Sequence, residues 1–369
     1  MRTKIITFAA MKILDWYIIR KFLGTFFFTL GLIILIVIIF DVSEKIDDFI
    51  NNEAPFSEII FSYYITFIPF FTNMFSPLIT FIAVVFFTSK IAYNTEIVAI
   101  LSSGISFKRL LRPYLLAATF IGLLSFYLAN FLIPTTNKIK KEFEDKYIWN
   151  KKYNTSSNIH IQNKPGELIY VESFNNRTNT GYNFTWEKFD GQTLKYKLKS
   201  KTIVYDSANN DWTIIKYKER IFDDDNSQHF TEGDTLIAKF NIIPRDYSDK
   251  VVNMEVMDYF ELNEFIANEE IKGSENIKFY YVEKYRRVSF PFATLILTVI
   301  GAALSSRKVR GGMGIHLAVG ITMSFTYIIF MQISTVFATF GALSPLVATW
   351  IPNIVFFFIA IYLVRIAPK

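Results

Sequence analysis

The chain of 369 residues contains no cysteine and only three histidines, at positions 160, 229 and 316. The absence of cysteine excludes disulfide scaffolds, thiolate zinc sites, iron–sulfur clusters and cysteine nucleophiles. Because the three histidines are far apart in the sequence, a histidine metal cluster is not expected. Any water-soluble part of this protein must therefore be held together by core packing alone.

Charged residues are also missing from five long segments. A helix needs about 20 apolar residues to cross the hydrocarbon core of a bilayer. Most of the charge is concentrated instead between residues 138 and 287, so the composition predicts a membrane protein with one water-soluble domain and excludes a simple soluble enzyme. The segments without Asp, Glu, Lys or Arg are 22–40, 59–89, 113–137, 288–306 and 311–364.

These segments predict six transmembrane helices. Residues 59–89 are interpreted as one kinked or tilted span, because Pro69 and Pro77 are tolerated where neighbouring helices pack around them. Residues 311–364 are too long for one span, and the turn signal at 341–345 divides them into two. Residues 12–21 are interpreted as an amphipathic lead-in that lies on the inner membrane surface.

The distribution of lysine and arginine predicts the orientation. Fourteen of these residues fall in the N-terminal segment, the second loop, the fourth loop and the C-terminus, whereas the opposite short loops hold only Lys45 among acidic residues. By the positive-inside rule, both termini are expected in the cytoplasm and the domain at 138–287 on the outer side. A cleavable signal peptide is not expected, and translation can start at Met1 or at Met11.

The outer domain shows an alternating pattern between residues 158 and 240. Turn signals at 165–166, 190–191, 209–211 and 232–234 divide it into short antiparallel strands. A sandwich, a jelly roll or an open barrel fits this pattern, with either a filled core or an apolar face left open as a lipid groove. From Met257 the period becomes helical and leads through Gly273 to the fourth span. The predicted divisions are 1–137, 138–287 and 288–369.

Catalytic motifs are not found. The sequence has no G-x-x-x-x-G-K-[ST], G-x-S-x-G or H-E-x-x-H motif, and residues 310–314 fit a helix start beside basic anchors better than a glycine loop. None of the predicted spans carries an ionisable residue in its middle, which argues against a proton- or sodium-coupled carrier.

The second cytoplasmic loop carries more information. Residues 94–104 predict a short helix that Asn94 or Thr95 caps and Gly104 ends, and Ser106 begins the next helix. Its apolar face is too hydrophobic for a solvated loop, so it is expected either to lie on the bilayer or to dock into a cytoplasmic partner. That face consists of Ile97, Ile100 and Leu101.

Residues 96–113, EIVAILSSGISFKRLLRP, resemble the cytoplasmic coupling segment of the LptF/LptG (YjgP/YjgQ) permease family. Residues 341–356, GALSPLVATWIPNIVF, resemble the last loop and sixth span of the same family, and residues 14–30 are similar to its start. The layout of three spans, a β-rich outer domain and three further spans also agrees. The resemblance covers essentially the whole chain, although the β-domain matches only in kind.

The resemblance implies the membrane half of an ABC transporter that extracts lipopolysaccharide from the bacterial inner membrane. Two such permeases, LptF and LptG, pair with a dimer of the ATPase LptB and pass lipid to LptC- and LptA-type bridge proteins. It implies a periplasmic jelly-roll-like domain, no catalytic residue, and no cofactor in this chain, since the ATPase would bind ATP and magnesium. The segment FDVSEKIDDF at 40–49 favours LptG over LptF.

The resemblance also implies roles for individual residues. The coupling helix would dock in a groove of the ATPase, and the first and fifth spans would border the lateral openings of a lipid cavity. Basic residues near the outer boundary would meet lipid phosphates, with ordinary interfacial anchoring as the alternative. The coupling residues are Glu96, Ile97, Ile100, Leu101, Gly104 and Arg109, and the candidate phosphate contacts are Lys45, Lys138, Lys140, Lys141, Arg286 and Arg287.

Two other functions compete with this interpretation. One is a permease of another ABC lipid or lipoprotein exporter, which usually has four spans in this layout. The other is an envelope enzyme or a non-catalytic scaffold with a β-domain. Burial of acyl chains is worth about 0.8 kcal/mol per methylene, so the lipopolysaccharide interpretation favours an open apolar groove in the β-domain.

Overall fold

The computed structural model describes residues 13–148, 155–175, 178–207, 209–223, 227–240, 242, 244, 254–274, 276–307, 312–341 and 343–367. The chain forms two compact units. One comprises Met1–Lys140 and Tyr281–Lys369, and the other is Lys141–Tyr280. The predicted start at Met1 or Met11 and the segment at 308–311 lie outside the described residues.

Six helices among the described residues are long and apolar enough to span a membrane, which confirms the predicted number. A further short helix lies between the second and third of these, and another follows the sheet. The helices are α1 (Ile13–Asn51), α2 (Phe56–Tyr93), α3 (Glu96–Ser102), α4 (Phe107–Tyr147), α5 (Tyr259–Ile271), α6 (Ile277–Ser305), α7 (Gly312–Phe340) and α8 (Pro345–Ile366).

Helix α1 is continuous over 39 residues. The predicted amphipathic lead-in at 12–21 forms, among the described residues, the first turns of this helix, with one side packed inside the protein and the other exposed at Ile13 and Trp16; its position on the inner membrane surface stays a prediction. Ile18 and Phe22 are fully buried, and Phe22 stacks on Phe87 of α2 at a centroid distance of 5.7 Å. Phe87 in turn stacks on Tyr114 of α4 at 5.2 Å. These three aromatic rings join α1, α2 and α4.

Helix α2 is continuous and long enough for one span in spite of two internal prolines, as the sequence predicted. Near its beginning, Ile59–Tyr64 is π-helical. A π-helical turn contains an extra residue and is frequent at functional sites. Here Tyr63 and Tyr64, although consecutive, both hydrogen-bond the carboxylate of Asp41 on α1, at 3.2 Å each.

The long apolar segment near the C-terminus forms two helices, as predicted. The side chain of Ser344 caps the second by accepting a hydrogen bond from the Val347 N–H at 3.4 Å. A buried polar chain then ties the bundle together: the Tyr327 hydroxyl donates to Asn353 Oδ1 at 2.9 Å, and Asn353 Nδ2 donates to the Ser289 carbonyl at 2.9 Å. In an apolar interior such groups are stable only when they are hydrogen-bonded.

The second unit contains one six-stranded antiparallel sheet in which neighbours in sequence are neighbours in space. The predicted antiparallel β-domain between the third and fourth spans is confirmed, and the order of its described strands is that of a meander. The helical segment after it also forms as predicted, with Gly273 at φ +64° between α5 and α6. The strands are β1 (Thr155–Lys164), β2 (Glu167–Asn175), β3 (Thr180–Asp190), β4 (Thr193–Asp206), β5 (Asp211–Phe222) and β6 (Gln228–Ala238).

One face of the sheet carries a filled core. Leu198, Ile203 and Trp212 are fully buried, and the Trp212 indole N–H donates to the Ile242 carbonyl at 2.8 Å. Because Phe240 also packs on Phe184 at a centroid distance of 5.8 Å, the segment after β6 covers part of this face. Among the described residues, the packing therefore agrees with the filled-core alternative.

The turn predicted at 232–234 was wrong. Gly233 lies inside β6, opposite Tyr217 of β5, and a β-carbon at Gly233 would approach the Tyr217 ring to 2.5 Å. A glycine inside a strand commonly marks such a close approach. The chain instead reverses near Asp223, whose N–H donates to the Ser227 carbonyl at 3.1 Å.

Candidate functional site

Helix α3 forms a tight link between α2 and α4. Thr95 occupies the position before the helix in the left-handed region, at φ +63°, and its hydroxyl donates to the Asn94 carbonyl at 2.6 Å. The prediction of a side-chain cap from Asn94 or Thr95 was therefore wrong, because the sharp reversal after α2 takes Thr95 out of capping geometry. Gly104, at φ +82°, follows the end of the helix, and Ser106 caps α4 as predicted.

Glu96 is held by the first membrane helix. The Tyr17 hydroxyl donates a hydrogen bond to Glu96 Oε2 at 2.7 Å, although the two residues are 79 positions apart. Glu96 also lies in the first turn of α3, where a negative charge interacts favourably with the helix dipole. The carboxylate is therefore fixed at the junction of α1 and α3.

A second contact joins α1 to α4. Arg109 donates through Nη1 and Nη2 to the two carboxylate oxygens of Asp15, both at 2.6 Å. Asp15 is only 6 % exposed. Bidentate pairs of this kind are geometrically specific and among the strong hydrogen bonds of proteins. Arg109 is thus part of the frame that supports α3, and its predicted contact with a partner stays a prediction.

The apolar face of α3 packs against the protein itself. Ile97 is 1 % exposed, and Ile100 and Leu101 pack on the same cluster of buried residues from α1, α2 and α4. Ile97 is therefore covered by this chain itself in the structure, and the predicted contact of this face with the bilayer or a cytoplasmic partner stays a prediction. The periodicity correctly identified the apolar face of α3. In the structure, other helices of the same chain cover that face.

The opposite side of α3 is an exposed rim of mostly small residues. Val98 is 56 % exposed, and the polar and small positions around it are open as well. Sequence reasoning overlooked this surface, although a helical period that places Ile97 inside necessarily places Val98 outside. We define the α3 rim as Val98, Ala99, Ser102, Ser103 and Gly104.

A polar cluster lies at the other end of α1. Lys45 Nζ donates to Asp41 Oδ1 at 2.8 Å and also to the Tyr63 hydroxyl. Lys45 and Lys140 share the Tyr63 ring, with ammonium-to-centroid distances of 4.9 and 6.0 Å. The structure thus brings two of the predicted phosphate contacts to one aromatic side chain, and Asp41 already neutralises one of them.

The remaining predicted phosphate contacts differ in accessibility. Arg287 is 6 % exposed and donates through Nε to Glu283 at 3.0 Å, whereas Arg286 reaches the same carboxylate at 2.6 Å from a half-exposed position. Lys138 is exposed on α4, and Lys141 is partly buried. Arg287 is therefore the least available of the set for a ligand.

Among the described residues, no group of three or more His, Asp or Glu side chains is arranged to hold a metal ion. A comparison with curated proteins finds no match to this chain. The model of the family described as lipopolysaccharide export system permease LptF/LptG matches residues 16–366. The matched residues include the Tyr17–Glu96 contact and Arg109, while Asp15 lies just before them. They cover helices α2 to α8 whole and α1 from its fourth residue onwards. On the strength of a match over essentially its full length, the chain belongs to the LptF/LptG family of lipopolysaccharide export permeases.

Proposed function

We propose that this chain is the transmembrane permease subunit of an ABC transporter that extracts lipopolysaccharide from the inner membrane. The family itself is a transport family without catalytic activity. In the proposal, a second LptF- or LptG-type permease pairs with this chain, an LptB-type ATPase dimer drives the pair, and LptC- and LptA-type proteins receive the lipid. ATP and magnesium are bound by the ATPase, and this chain supplies no cofactor site.

The support of α3 is the observation that carries the proposal. Its inner face is buried, its rim is exposed, and two side-chain contacts tie its surroundings to α1. A force applied at the rim therefore reaches the first membrane helix through Glu96 and Tyr17. A helix that had to dock by Ile97 would first have to leave its own core.

The proposed orientation places α3 and both termini in the cytoplasm and the sheet in the periplasm. The short segments beside α3 support it, since they carry Lys90, Lys108, Arg109 and Arg112, as the positive-inside rule requires of the cytoplasmic side. The segment at 40–49 still favours LptG within the family.

At the outer end, we propose that lipid phosphates compete for the cations. Lys45 would exchange Asp41 for phosphate, and Lys138, Lys140, Lys141 and Arg286 would add weaker contacts. Arg287 would act through Glu283, because its guanidinium is buried beside that carboxylate.

The coupling role is tested with Glu96→Arg in the complete transporter, purified and reconstituted in lipopolysaccharide-loaded vesicles. We expect ATP hydrolysis to continue while lipid release falls at least tenfold, since the arginine loses the Tyr17 contact and reverses the charge. Glu264→Arg is the matched control, because Glu264 is an exposed residue on α5 that undergoes the same change of charge. Normal lipid release by Glu96→Arg would contradict the proposal.

Co-purification tests the assembly independently. The tagged chain, gently solubilised from its native membrane, is expected to bring a nucleotide-binding ATPase and a second six-span permease. Recovery of the chain alone, where other ABC complexes survive, would favour a scaffold over a transporter subunit.

A further inference from the structure

A groove of about 510 Å³ lies between α1 and α2, close to α3. We propose that it binds the phosphate headgroup of an anionic phospholipid; its assignment to the inner leaflet rests on the proposed function. The groove is lined by Tyr17, Arg20, Lys21, Gly24, Thr25, Phe86, Phe87 and Lys90.

The charge of the groove is of one sign. Arg20, Lys21 and Lys90 line it, and its lining contains no carboxylate. Within the described part of the chain, none of the three cations forms an ion pair with an acidic side chain. By contrast, Arg109 and Lys45 each have a carboxylate partner. Three unneutralised cations around one cavity favour an anionic ligand.

Helical spacing explains why these groups converge. Tyr17, Lys21 and Gly24 are separated by four and three positions on α1, so they lie along one face of the helix. Phe86 and Lys90 are similarly four positions apart on α2. The Lys21 ammonium lies over the ring of Tyr17, which also lines the groove, at 4.9 Å from the ring centroid.

Gly24 keeps the groove open. It is exposed, and a β-carbon at this position would meet no atom within 4 Å. A larger residue could therefore be accommodated without strain, but it would occupy the volume that a headgroup needs. The backbone conformation of Gly24 does not require glycine. The effect of glycine here is therefore the empty space that it leaves in the groove.

The apolar lining indicates a lipid and not a free anion. Phe86 is 41 % exposed, and beyond the groove both helices continue into apolar membrane-spanning sequence. A phospholipid satisfies both halves of the site, with its phosphate near the cations and its chains against Phe86. Basic pockets between membrane helices on the cytoplasmic side are known to bind such headgroups.

The position of the groove gives it a consequence for coupling. Tyr17 lines the groove and also donates a hydrogen bond from its hydroxyl to Glu96 of α3. A phosphate that draws Lys21 away from the Tyr17 ring would change the support of α3. Occupancy by a phospholipid of the host membrane would therefore tune the response of α3 to its partner.

The test measures lipid retention by native mass spectrometry of the full chain in detergent, titrated with phosphatidylglycerol or phosphatidylcholine. We expect wild type to prefer phosphatidylglycerol. The triple variant Arg20→Ala, Lys21→Ala, Lys90→Ala should bind it on the order of a hundredfold more weakly, at about one kcal/mol per cation. The matched control is Lys108→Ala, Arg112→Ala, Arg365→Ala, which removes three exposed cations outside the groove and should retain wild-type binding.

A second variant separates shape from charge. Gly24→Leu leaves every charge in place and should also abolish the preference for phosphatidylglycerol. Equal binding of the two lipids by wild type, or equal retention by both triple variants, would overturn the proposal. Displacement of phosphatidylglycerol by inorganic phosphate would show a free-anion site instead. None of these readouts depends on ATP hydrolysis or transport, so a failure here is distinguishable from a failure of the coupling role.

Discussion

Asp15 and Arg109, 94 positions apart, face each other with two parallel hydrogen bonds of 2.6 Å, and Asp15 is almost fully buried. This pair clamps the start of α1 to the start of α4 on one side of α3. Together with the Tyr17–Glu96 hydrogen bond, it joins α1, α3 and α4 into a frame of three helices.

Breaking that clamp should destabilise the membrane unit. Asp15→Ala is expected to cost about 2 kcal/mol, below the usual penalty for a buried pair because Arg109 is a quarter exposed. Thermal unfolding in detergent measures the effect. The swap Asp15→Arg with Arg109→Asp should recover part of the loss, whereas additive losses would show that the two side chains do not interact.

The hydroxyl of Tyr17 should matter more than its ring for coupling. Tyr17→Phe removes one hydrogen bond to Glu96, worth about 1 kcal/mol, and retains the aromatic surface in the groove. We expect reduced lipid release per ATP hydrolysed in reconstituted transporter. Tyr362→Phe, at a 64 % exposed tyrosine of α8, is the control, and an equal loss in both variants would argue against a specific role.

Two substitutions of Glu96 separate the effect of its hydrogen bond from the effect of its negative charge. Glu96→Gln keeps an oxygen that can accept from Tyr17, whereas Glu96→Ala removes both the acceptor and the charge. Lipid release is expected to fall less in the glutamine variant than in the alanine variant. The reverse order, measured in the same vesicles, would indicate that the negative charge alone is used.

In the sheet, Gly233 should resist substitution. A β-carbon there collides with the Tyr217 ring, so Gly233→Ala is expected to lower stability by about 1–2 kcal/mol through overpacking. Far-UV circular dichroism during thermal unfolding follows the loss. Adding Tyr217→Ala should relieve it, and Thr235→Ala on the same strand serves as the neutral reference.

The two arginines beside Glu283 should behave differently. Arg287→Ala removes a buried cation from a partly buried carboxylate and is expected to cost about 2–3 kcal/mol. Arg286→Ala removes a half-exposed partner and should cost less than 1 kcal/mol. Melting temperatures of the two purified variants compare them directly. Equal decreases in melting temperature would mean that the burial of Arg287 does not increase its contribution to stability.

The sequence predicted those features of the fold that depend on local pattern. Missing charge located the spans, and the apolar spacing of α3 identified the face that is covered, although not the helices of this chain that cover it. Gly104 and Ser106 marked chain reversals because each has a local conformational role. By contrast, nothing near Glu96 in the sequence identifies Tyr17 as its partner.

The errors have the same physical origin. Threonine is a residue type that commonly caps helices, yet the sharp turn after α2 places Thr95 in a left-handed conformation. Glycine is a residue type that is common in turns, yet Gly233 lies inside a strand, where its lack of a side chain makes room for Tyr217 on the neighbouring strand. In each case a contact or constraint from another element decides the conformation, and single-sequence patterns do not contain it.

Support along α1 is unequal. The helix is packed at its beginning, and no residue from 31 to 48 is buried, although Asp41 ties it to Tyr63 and Tyr64 of α2. The far end is also fixed by Phe49, whose ring packs on Tyr63 and Tyr64 at centroid distances of 5.7 and 6.4 Å. A helix anchored at both ends bends most in the stretch between the anchors. At 1.5 Å per residue the stretch from Leu30 to Asp48 is about 27 Å long, so a bend of roughly 5° near Leu30 would move Asp48 by about 2 Å.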